Sequence, residues 1–257
     1  MSPSNKPAIV IVPGAFHKPN QYSQLHSRLA SAGYETTTVT LLSCGPKPIA
    51  SIDPDIYATR SAIAAHLYAN RDVCLVMHSY GGIVGSSACL GFRREDDYAG
   101  NGCGVTSLVY LAAFVVDEGV SVSSAQGGKH SPWASPVLPE AQWLAYDQIG
   151  YDPREIFYND CSQEVKDENV AKISYLSLSC GSDEGGKCQY AAWKEIESSY
   201  LLCEKDQAID KAVQEAMVNQ EGTKWKRVKR MQSGHSPWLS SPEETVNFVR
   251  ECAGEKL

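Results

Sequence analysis

The chain has 257 residues, of which 43% are hydrophobic and 21% are charged, and this balance predicts one soluble globular domain with a sizeable core. Its formal net charge of −7 argues against binding to nucleic acid, whose phosphate backbone attracts basic surfaces. The first apolar run, residues 8–12, is too short for a membrane span or a secretory signal, so we expect a cytoplasmic protein that binds no membrane.

Nine cysteines, an odd number, argue against a complete disulfide framework in a monomer. Cys74 and Cys203 fall within apolar runs, which predicts small buried side chains. Cys161, Cys180 and Cys188 lie in a polar, glycine-rich region and could form a disulfide or bind zinc, but no C-x-x-C pair accompanies them. We therefore predict reduced thiols and no metal site. The sequence has no dinucleotide-binding fingerprint either, so no cofactor is predicted.

The first 114 residues alternate apolar runs with helical patterns, which is typical of parallel βαβ units. The continuous apolar run at 8–12 predicts a buried strand, and Pro13-Gly14 ends it. A helix is predicted over 20–32, where Gly33 stops it, and a strand rich in Thr and Val over 34–41. The next predicted elements are a helix over 55–68, a strand over 72–77, a helix of small residues over 81–90 and a strand over 105–114.

Strand patterns then disappear over residues 117–192, and we predict a small helical cap inserted after the fourth strand. A strand follows over 200–203, then a helix over 208–219, a strand over 224–231 and a helix over 242–252, which Ser241 is predicted to cap. The basic residues of 224–230 alternate as in a strand with one solvated face. Together these elements predict an α/β fold, with a mostly parallel sheet of about six strands formed by residues 1–116 and 193–257.

The run from Met77 to Gly82 predicts a nucleophile at Ser79. A serine hydroxyl is a weak nucleophile at neutral pH and needs both a base and a fixed geometry. The tight strand-to-helix turn that provides this geometry is written G-x-S-x-G, and here it joins a buried strand to a helix of small residues. Met77 departs from the pattern, because this position is usually glycine. A serine that only caps the following helix is the alternative interpretation.

The residues that would activate Ser79 follow it in the order acid and then histidine, as this type of site requires. His235 lies between the last predicted strand and the last helix, where a general base can reach the nucleophile. Asp206 directly follows the strand at 200–203 and is predicted to orient the imidazole and stabilise its charged form. Glu204 and Asp210 are competing carboxylates: Glu204 lies close to the strand end, and Asp210 is predicted inside the helix.

Acyl transfer also needs N–H donors directed at the developing oxyanion. The Tyr80 N–H is one predicted donor, because Tyr80 follows the nucleophile. The other is predicted in the loop after the first strand, where the Ala15 N–H is the first candidate and the Phe16 N–H the second. Gly14 and His17 of the same loop are predicted to contact the substrate.

Four segments together resemble the α/β-hydrolase superfamily, and more closely its plant methylesterase, hydroxynitrile lyase and bacterial EstC-like branch. They are residues 12–17, 77–82, 203–206 and 233–237. The resemblance covers the whole predicted core and is weakest in the cap. It implies an α/β-hydrolase fold in which Ser79, Asp206 and His235 act as nucleophile, acid and base.

Several positions depart from relatives within this superfamily. Hydroxynitrile lyases carry Thr in the oxyanion loop and Lys just after the catalytic His, where this chain has Gly14 and Ser236. These differences argue against cyanohydrin cleavage. Pro13 also stands where many relatives have His. Epoxide hydrolases and haloalkane dehalogenases use an Asp nucleophile, so Ser79 argues against both activities.

The cap bears on the choice of substrate. The aromatic residues in or beside it suit a lid over an apolar or aromatic substrate, and equally the cap's own core; they are Trp133, Trp143, Tyr146, Tyr151, Phe157, Tyr158 and Trp193. Of these, Trp133 and Trp143 are predicted to contact the substrate. Trp238, which lies near the base in the sequence, is also predicted to contact it, although it could instead anchor the loop.

We therefore expect a serine hydrolase that cleaves a small ester, thioester or lactone through an acyl-enzyme. Two alternatives stay open. One is a lyase, cyclase or isomerase in which His235 is the acid/base and Ser79 only forms hydrogen bonds. The other is a small-molecule-binding protein without activity. The expected partner is a small-molecule substrate, and a homodimer is left open.

Overall fold

A computed structural model describes residues 6–128, 131–137, 142–145 and 151–257, with the backbone alone at 135–137 and 142–145. The strands in these ranges are β1 (Ala8–Val12), β2 (Thr36–Thr38), β3 (Val73–His78), β4 (Val105–Leu111), β5 (Ala134–Val137), β6 (Gln142–Ala145), β7 (Leu176–Ser177), β8 (Ser198–Cys203) and β9 (Trp225–Met231). The helices are α1 (Ser23–Ser31), α2 (Asp53–Tyr68), α3 (Gly81–Ala88), α4 (Val122–Ala125), α5 (Pro153–Phe157), α6 (Gln163–Val170), α7 (Lys211–Val218), α8 (Pro237–Ser240) and α9 (Pro242–Cys252).

The main sheet of the described residues has six parallel strands in the order β2-β1-β3-β4-β8-β9. Val12 at the end of β1 pairs with Met77, and His78 at the end of β3 pairs with Leu111. The carboxyl ends of these central strands therefore lie at one edge of the sheet, which is where open parallel sheets bind their ligands. The predicted α/β class with about six strands is confirmed.

The central strands β1, β3 and β8 are buried on both faces: successive side chains of a strand point to opposite sides, and every residue of these strands is buried. Val10 and Val12 belong to a core cluster with apolar residues of α2, α3 and α7, whereas Ile9 and Ile11 belong to a second cluster with α1 and α9. The predicted solvated strand is confirmed as β9, an edge strand whose basic side chains pair with carboxylates of Glu197, Glu244 and Glu251.

Of two predictions for the last helices, one is confirmed in position and the other is wrong. Ser241 is the N-cap residue of α9, as predicted, but its side chain makes no capping hydrogen bond, and its carbonyl oxygen accepts one from Thr245 Oγ1 at 2.9 Å. Asp210 does not lie inside a helix. It is the N-cap of α7 and accepts a hydrogen bond from the Ala212 N–H at 2.7 Å, because a carboxylate at this position satisfies an otherwise unpaired backbone donor.

The predicted cap, residues 117–192, lies between β4 and β8 in the chain and contains α4, α5 and α6. It also contains an antiparallel sheet of β5, β6 and β7, which the sequence does not predict. These strands have four, four and two residues, too few for an alternating pattern of apolar side chains to be recognised. The boundaries of the cap as a domain stay a prediction.

All nine cysteines are free thiols, and Cys74 and Cys203 are fully buried as predicted. Cys161, Cys180 and Cys188 accordingly form no disulfide. In the part of the chain that the structure describes, no cluster of three or more His, Cys, Asp or Glu side chains is arranged to hold a metal ion. None of the helices in that part is long and apolar enough to cross a membrane.

Candidate active site

Ser79 lies in the turn between β3 and α3, and its backbone φ is +53°. A residue other than glycine is strained in this left-handed region, and the strain persists only where surrounding contacts impose it. The Ser79 carbonyl oxygen accepts hydrogen bonds from the N–H groups of Gly82 and Phe114, both at 3.0 Å. This conformation is typical of a nucleophile turn, which presents the serine at the carboxyl end of the sheet.

Gly81 and Gly82 allow α3 to start close to the neighbouring loops. A Cβ atom on Gly81 would lie 2.4 Å from the carbonyl oxygen of Pro13, and one on Gly82 would lie 2.2 Å from that of Phe114. Both neighbours are backbone atoms, which cannot turn away as a flexible side chain can. The two glycines after the motif serine are therefore required by the close approach of three backbone segments.

Met77, the departure from the motif, is accommodated by a glycine further along the chain. Its side chain is fully buried and lies against Gly85 of α3, where a Cβ atom would be 2.6 Å from Met77 Sδ. The small residue of this contact is thus on the helix instead of the strand. The turn forms around Ser79 with methionine at this position for that reason.

His235 and Asp206 lie in the loops after β9 and β8 and share a buried hydrogen bond. His235 Nδ1 is 2.8 Å from Asp206 Oδ2, and the two side chains are 1% and 0% exposed. Asp206 also accepts hydrogen bonds from the N–H groups of Ala208 and Ile209 and from Gln214 Nε2. Because the carboxylate acts as the acceptor, Nδ1 of His235 carries the proton. Its Nε2 is therefore the basic nitrogen.

The two competing carboxylates face other partners. Glu204 pairs with Lys211 at 3.1 Å and with Arg230 at 3.7 Å. Asp210 caps α7. Of the three acids considered in the sequence, Asp206 is the one that contacts His235.

A buried chain of hydrogen bonds connects the loop after β1, the turn at Ser79 and the loop of His235. The Gly14 N–H donates to the Tyr22 hydroxyl at 2.8 Å, this hydroxyl lies 2.7 Å from His78 Nδ1, and His78 Nε2 lies 3.0 Å from the His235 carbonyl oxygen. Burial lowers the pKa of His78 well below its ordinary value, so the ring is neutral. Since a carbonyl only accepts, Nε2 carries the proton and Nδ1 accepts from Tyr22.

The loop of residues 13–17, hereafter the oxyanion loop, packs directly on the candidate nucleophile. A Cβ atom on Gly14 would lie 2.9 Å from Ser79 Cβ and 2.7 Å from His78 Nδ1, so only glycine permits this approach. Phe16 has a φ of +67° and lines the same pocket as Ser79, and so do Ala15 and Tyr80. Ala15, Phe16 and Tyr80, which carry the three predicted N–H donors, thus border one pocket. Gly14 contacts Ser79 and His78 and is not among the lining residues.

His17, the last residue of the oxyanion loop, is 1% exposed, a placement that does not suit the predicted contact with substrate. Its Nδ1 is 2.6 Å from the Ala15 carbonyl oxygen, and its Nε2 is 2.9 Å from the Tyr158 hydroxyl. Burial lowers the pKa of His17 to about 4, so the ring is neutral. The carbonyl requires the proton on Nδ1, and Nε2 therefore accepts from Tyr158.

The side chain of Tyr80 is held by Asp55 of α2. The Tyr80 hydroxyl donates to Asp55 Oδ2 at 3.1 Å, and the Ser43 N–H donates to Oδ1 at 3.0 Å. Both side chains are buried, and burial raises the pKa of the Asp55 carboxyl above its ordinary value. Asp55 thereby positions the residue that carries one predicted oxyanion donor.

Trp238 is fully buried and anchors the loop that bears His235. Its Nε1 donates to the Gln21 carbonyl oxygen at 3.0 Å. Its ring stacks on Tyr22 with 4.6 Å between centroids and meets His78 edge-on at 4.7 Å. This placement agrees with the anchoring role considered for Trp238 and does not suit the predicted contact with substrate.

The pocket at Ser79 is lined mainly by apolar side chains from the core and the cap. They include Phe16, Phe114, Val122, Trp133, Leu176 and Ile209. Trp133 thus lines the same pocket as Ser79, and its ring meets Phe157 edge-on at 5.2 Å. Trp143 lies in β6, but its side chain is outside the described part of the structure, as is the whole of Tyr146.

Three polar residues also line the pocket: Ser123, Gln126 and Ser131. The Gln126 side-chain amide lies 2.9 Å from the Ser131 hydroxyl. No charged side chain is among the lining residues that the structure describes. The pocket therefore suits an uncharged molecule with few hydrogen-bonding groups.

The sequence does not single out several residues that organise this site: Gln21, Tyr22, Asp55 and Gln214. Each is a single polar or aromatic residue without a motif around it. Gln214 carries the one usable signal, because a polar residue on the buried face of a predicted helix needs a hydrogen-bond partner.

Comparison with known proteins agrees with this architecture. A model of the alpha/beta hydrolase family matches residues 9–248. The alpha/beta hydrolase nvfD of Aspergillus novofumigatus (strain IBT 16806) is 36% identical to the chain over 257 residues, which cover 98% of each protein.

Two solved structures extend the comparison to the fold. Tomato methylketone synthase I complexed with 2-tridecanone aligns with a TM-score of 0.73 and 17% identity, covering 97% of this chain and 98% of that one. Polyneuridine aldehyde esterase aligns with a TM-score of 0.74 and 18% identity, covering 96% and 98%. The fold implied by the sequence resemblance is confirmed.

Proposed function

The chain belongs to the alpha/beta hydrolase family and is an enzyme of the α/β-hydrolase type, and on this premise we propose that it is a serine hydrolase. Its proposed substrate is an ester, thioester or lactone of an uncharged, largely apolar small molecule. The observation that carries the proposal is the buried His235–Asp206 hydrogen bond of 2.8 Å, on loops at the same sheet edge as Ser79. Ser79 itself lines an apolar pocket.

Acylation begins when Ser79 Oγ attacks the carbonyl carbon of the substrate. His235 Nε2 accepts the hydroxyl proton, and Asp206 stabilises the imidazolium that results. The negative charge moves to the former carbonyl oxygen, where the N–H groups of Ala15 and Tyr80 donate to it. His235 then returns the proton to the leaving alcohol or thiol as the bond to the carbonyl carbon breaks.

Deacylation repeats these steps with water as the nucleophile. His235 takes a proton from the water, whose oxygen attacks the acyl carbon, and then returns the proton to Ser79 Oγ as the acid product leaves. The same two N–H groups bind the oxyanion in this second half. For a lactone, the leaving hydroxyl stays attached to the acyl group, so the product is one hydroxy acid.

The composition of the pocket supports the proposed substrate class. A charged substrate would lose its hydration without gaining an ion pair, because the described lining residues include no charged side chain. The aromatic rings of Phe16, Phe114 and Trp133 offer apolar contact surface instead. The relative named polyneuridine aldehyde esterase agrees with ester chemistry on this fold.

A panel of aryl esters, thioesters and lactones, assayed with wild type and three variants, tests the proposal. Ser79→Ala should reduce kcat by at least about 10⁴-fold, and Asp206→Asn by about 10³- to 10⁴-fold, because Asn favours the wrong tautomer of His235. Asp210→Asn is the matched control, since Asn caps a helix as well as Asp does, and it should retain wild-type activity.

Labelling with a fluorophosphonate separates this chemistry from the alternatives. Wild-type protein should gain one covalent adduct on Ser79, identified by peptide mass spectrometry, and Ser79→Ala should gain none. Turnover without an adduct would favour a lyase, cyclase or isomerase in which His235 is the acid/base. Binding of an ester without turnover or adduct would favour a protein without activity.

A further inference from the structure

Three consecutive residues after α5, Tyr158, Asn159 and Asp160, each contact a different loop of the candidate site. We propose that this segment, hereafter the 158–160 segment, is a positioning element that sets the oxyanion, acid and base loops relative to one another. The inference rests on the proposed function, because it assigns these loops their roles in acyl transfer.

The first contact is with the oxyanion loop. Tyr158 is fully buried, and its hydroxyl donates to His17 Nε2 at 2.9 Å, while His17 Nδ1 donates to the Ala15 carbonyl oxygen at 2.6 Å. Gln21 Nε2 completes the set by donating to the Tyr158 oxygen at 2.9 Å. Tyr158 of the cap therefore holds the backbone of Ala15 through His17. The Ala15 N–H is the first candidate oxyanion donor.

The second contact is with the acid loop. Asn159 Nδ2 donates to the carbonyl oxygen of Lys205 at 2.9 Å, directly before Asp206. The Lys205 N–H in turn donates to the Ser233 carbonyl oxygen at 3.0 Å, which ties the acid loop to the base loop. Asn159 thus holds a junction between the two loops.

The third contact is with the base loop. Asp160 Oδ2 accepts the Gly234 N–H at 2.7 Å, directly before His235. A Cβ atom on Gly234 would lie 2.1 Å from Asn159 Oδ1 and 2.6 Å from Asp160 Oδ1. Glycine at 234 is therefore what allows the base loop to lie directly on the 158–160 segment.

These contacts have one feature in common: each holds backbone at or next to a residue of the proposed chemistry. None of the three residues is among those that line the pocket. Loss of a contact should therefore displace reacting groups without removing substrate contacts. Because displacements of about 1 Å can cost about 10²-fold in rate, the effect should appear in kcat and not in KM.

The test compares Asp160→Ala, Asp160→Asn and Tyr158→Phe with wild type, with Asp167→Ala as the matched control. Asp167 is an exposed acid on α6 that pairs with Arg154, so its loss perturbs the cap surface alone. The measurements are kcat and KM on one aryl ester, the second-order rate of fluorophosphonate labelling of Ser79, and the melting temperature.

Asp160→Ala and Tyr158→Phe should each lower kcat and the labelling rate by about 10-fold or more, with KM within about 2-fold of wild type. Asp160→Asn should recover most of the loss, because its amide oxygen can still accept the Gly234 N–H. Asp167→Ala should match wild type in all three. If Asp160→Ala does not fold, Tyr158→Phe, which removes one hydroxyl, decides the outcome.

Three outcomes overturn the inference, and they are distinguishable. If wild type labels at Ser79 and the variants label and turn over at the wild-type rate, the positioning role is wrong and the proposed function stands. The positioning role is also wrong if the variants change only KM or the melting temperature. If wild type itself does not label at Ser79, the proposed function is wrong and the positioning role falls with it.

Discussion

The sheet core and the cap differ in how their structures are specified. In the core, both faces of each central strand are covered, so burial imposes long apolar runs such as residues 8–12. In the cap, the described strands have at most four residues, and the cap contacts the core through apolar side chains such as Phe157 and Leu176 and through hydrogen bonds such as Tyr158 to His17. Substitutions in the core should therefore affect folding first, and substitutions in the cap should affect catalysis or substrate choice first.

The largest expected difference between the two regions is in the free energy of unfolding that a glycine-to-alanine substitution costs. Gly82→Ala places a methyl group 2.2 Å from a backbone carbonyl oxygen and should lower the free energy of unfolding by at least about 3 kcal/mol. Gly119→Ala in the cap meets no atom within 4 Å, and its φ of +81° should cost about 1 kcal/mol. Urea denaturation measures both. Equal losses at the two positions would contradict the comparison.

Acid should weaken the contact between the regions. Burial lowers the pKa of His17 from 6.5 to about 4, so the unfolded chain binds a proton at this residue between those values and the folded chain does not. The burial of neutral His17 therefore lowers the free energy of unfolding very little above about pH 6.5. As the pH falls from 6.5 towards 4, the free energy of unfolding decreases. For His17 this loss is on the order of 3 kcal/mol.

Urea denaturation at about pH 7.5 and pH 4.5 measures this loss. His17→Gln should lose less stability on acidification than wild type does. Part of the loss should remain in this variant, because burial also lowers the pKa of His78. His26→Gln, at a partly exposed position on α1, is the control and should behave as wild type does. An unchanged pH dependence in His17→Gln would show that His17 is not the group responsible.

The smallest expected effect concerns substrate choice. Trp133 lines the pocket and contacts Phe16 and Phe157, so Trp133→Ala should raise KM for an aryl ester by about 10-fold, with a smaller change for a short alkyl ester. Tyr151→Ala, an exposed aromatic position of the cap, is the control and should leave both KM values unchanged. The same change for both esters in Trp133→Ala would argue against an aromatic subsite.

The core was predictable because its strands and helices follow repeating patterns of apolar residues. Apolar runs and helical spacing identify the six main strands, and the helix at 242–252 has the predicted bounds. The positions of Ser79, Asp206 and His235 relative to these elements follow from the same patterns. The three cap strands, Asp55 and the 158–160 segment were not predictable in this way, because each depends on contacts between residues distant in the chain.

The contact between Met77 and Gly85 affects whether a sequence pattern can detect such sites. The space between β3 and α3 admits one large residue and one small residue, and here the large one is on the strand. A search pattern that demands glycine two positions before the serine would pass over this chain. Among homologues, the two positions should therefore vary as a compensating pair: a chain with glycine at the Met77 position should tolerate a bulkier residue at the Gly85 position.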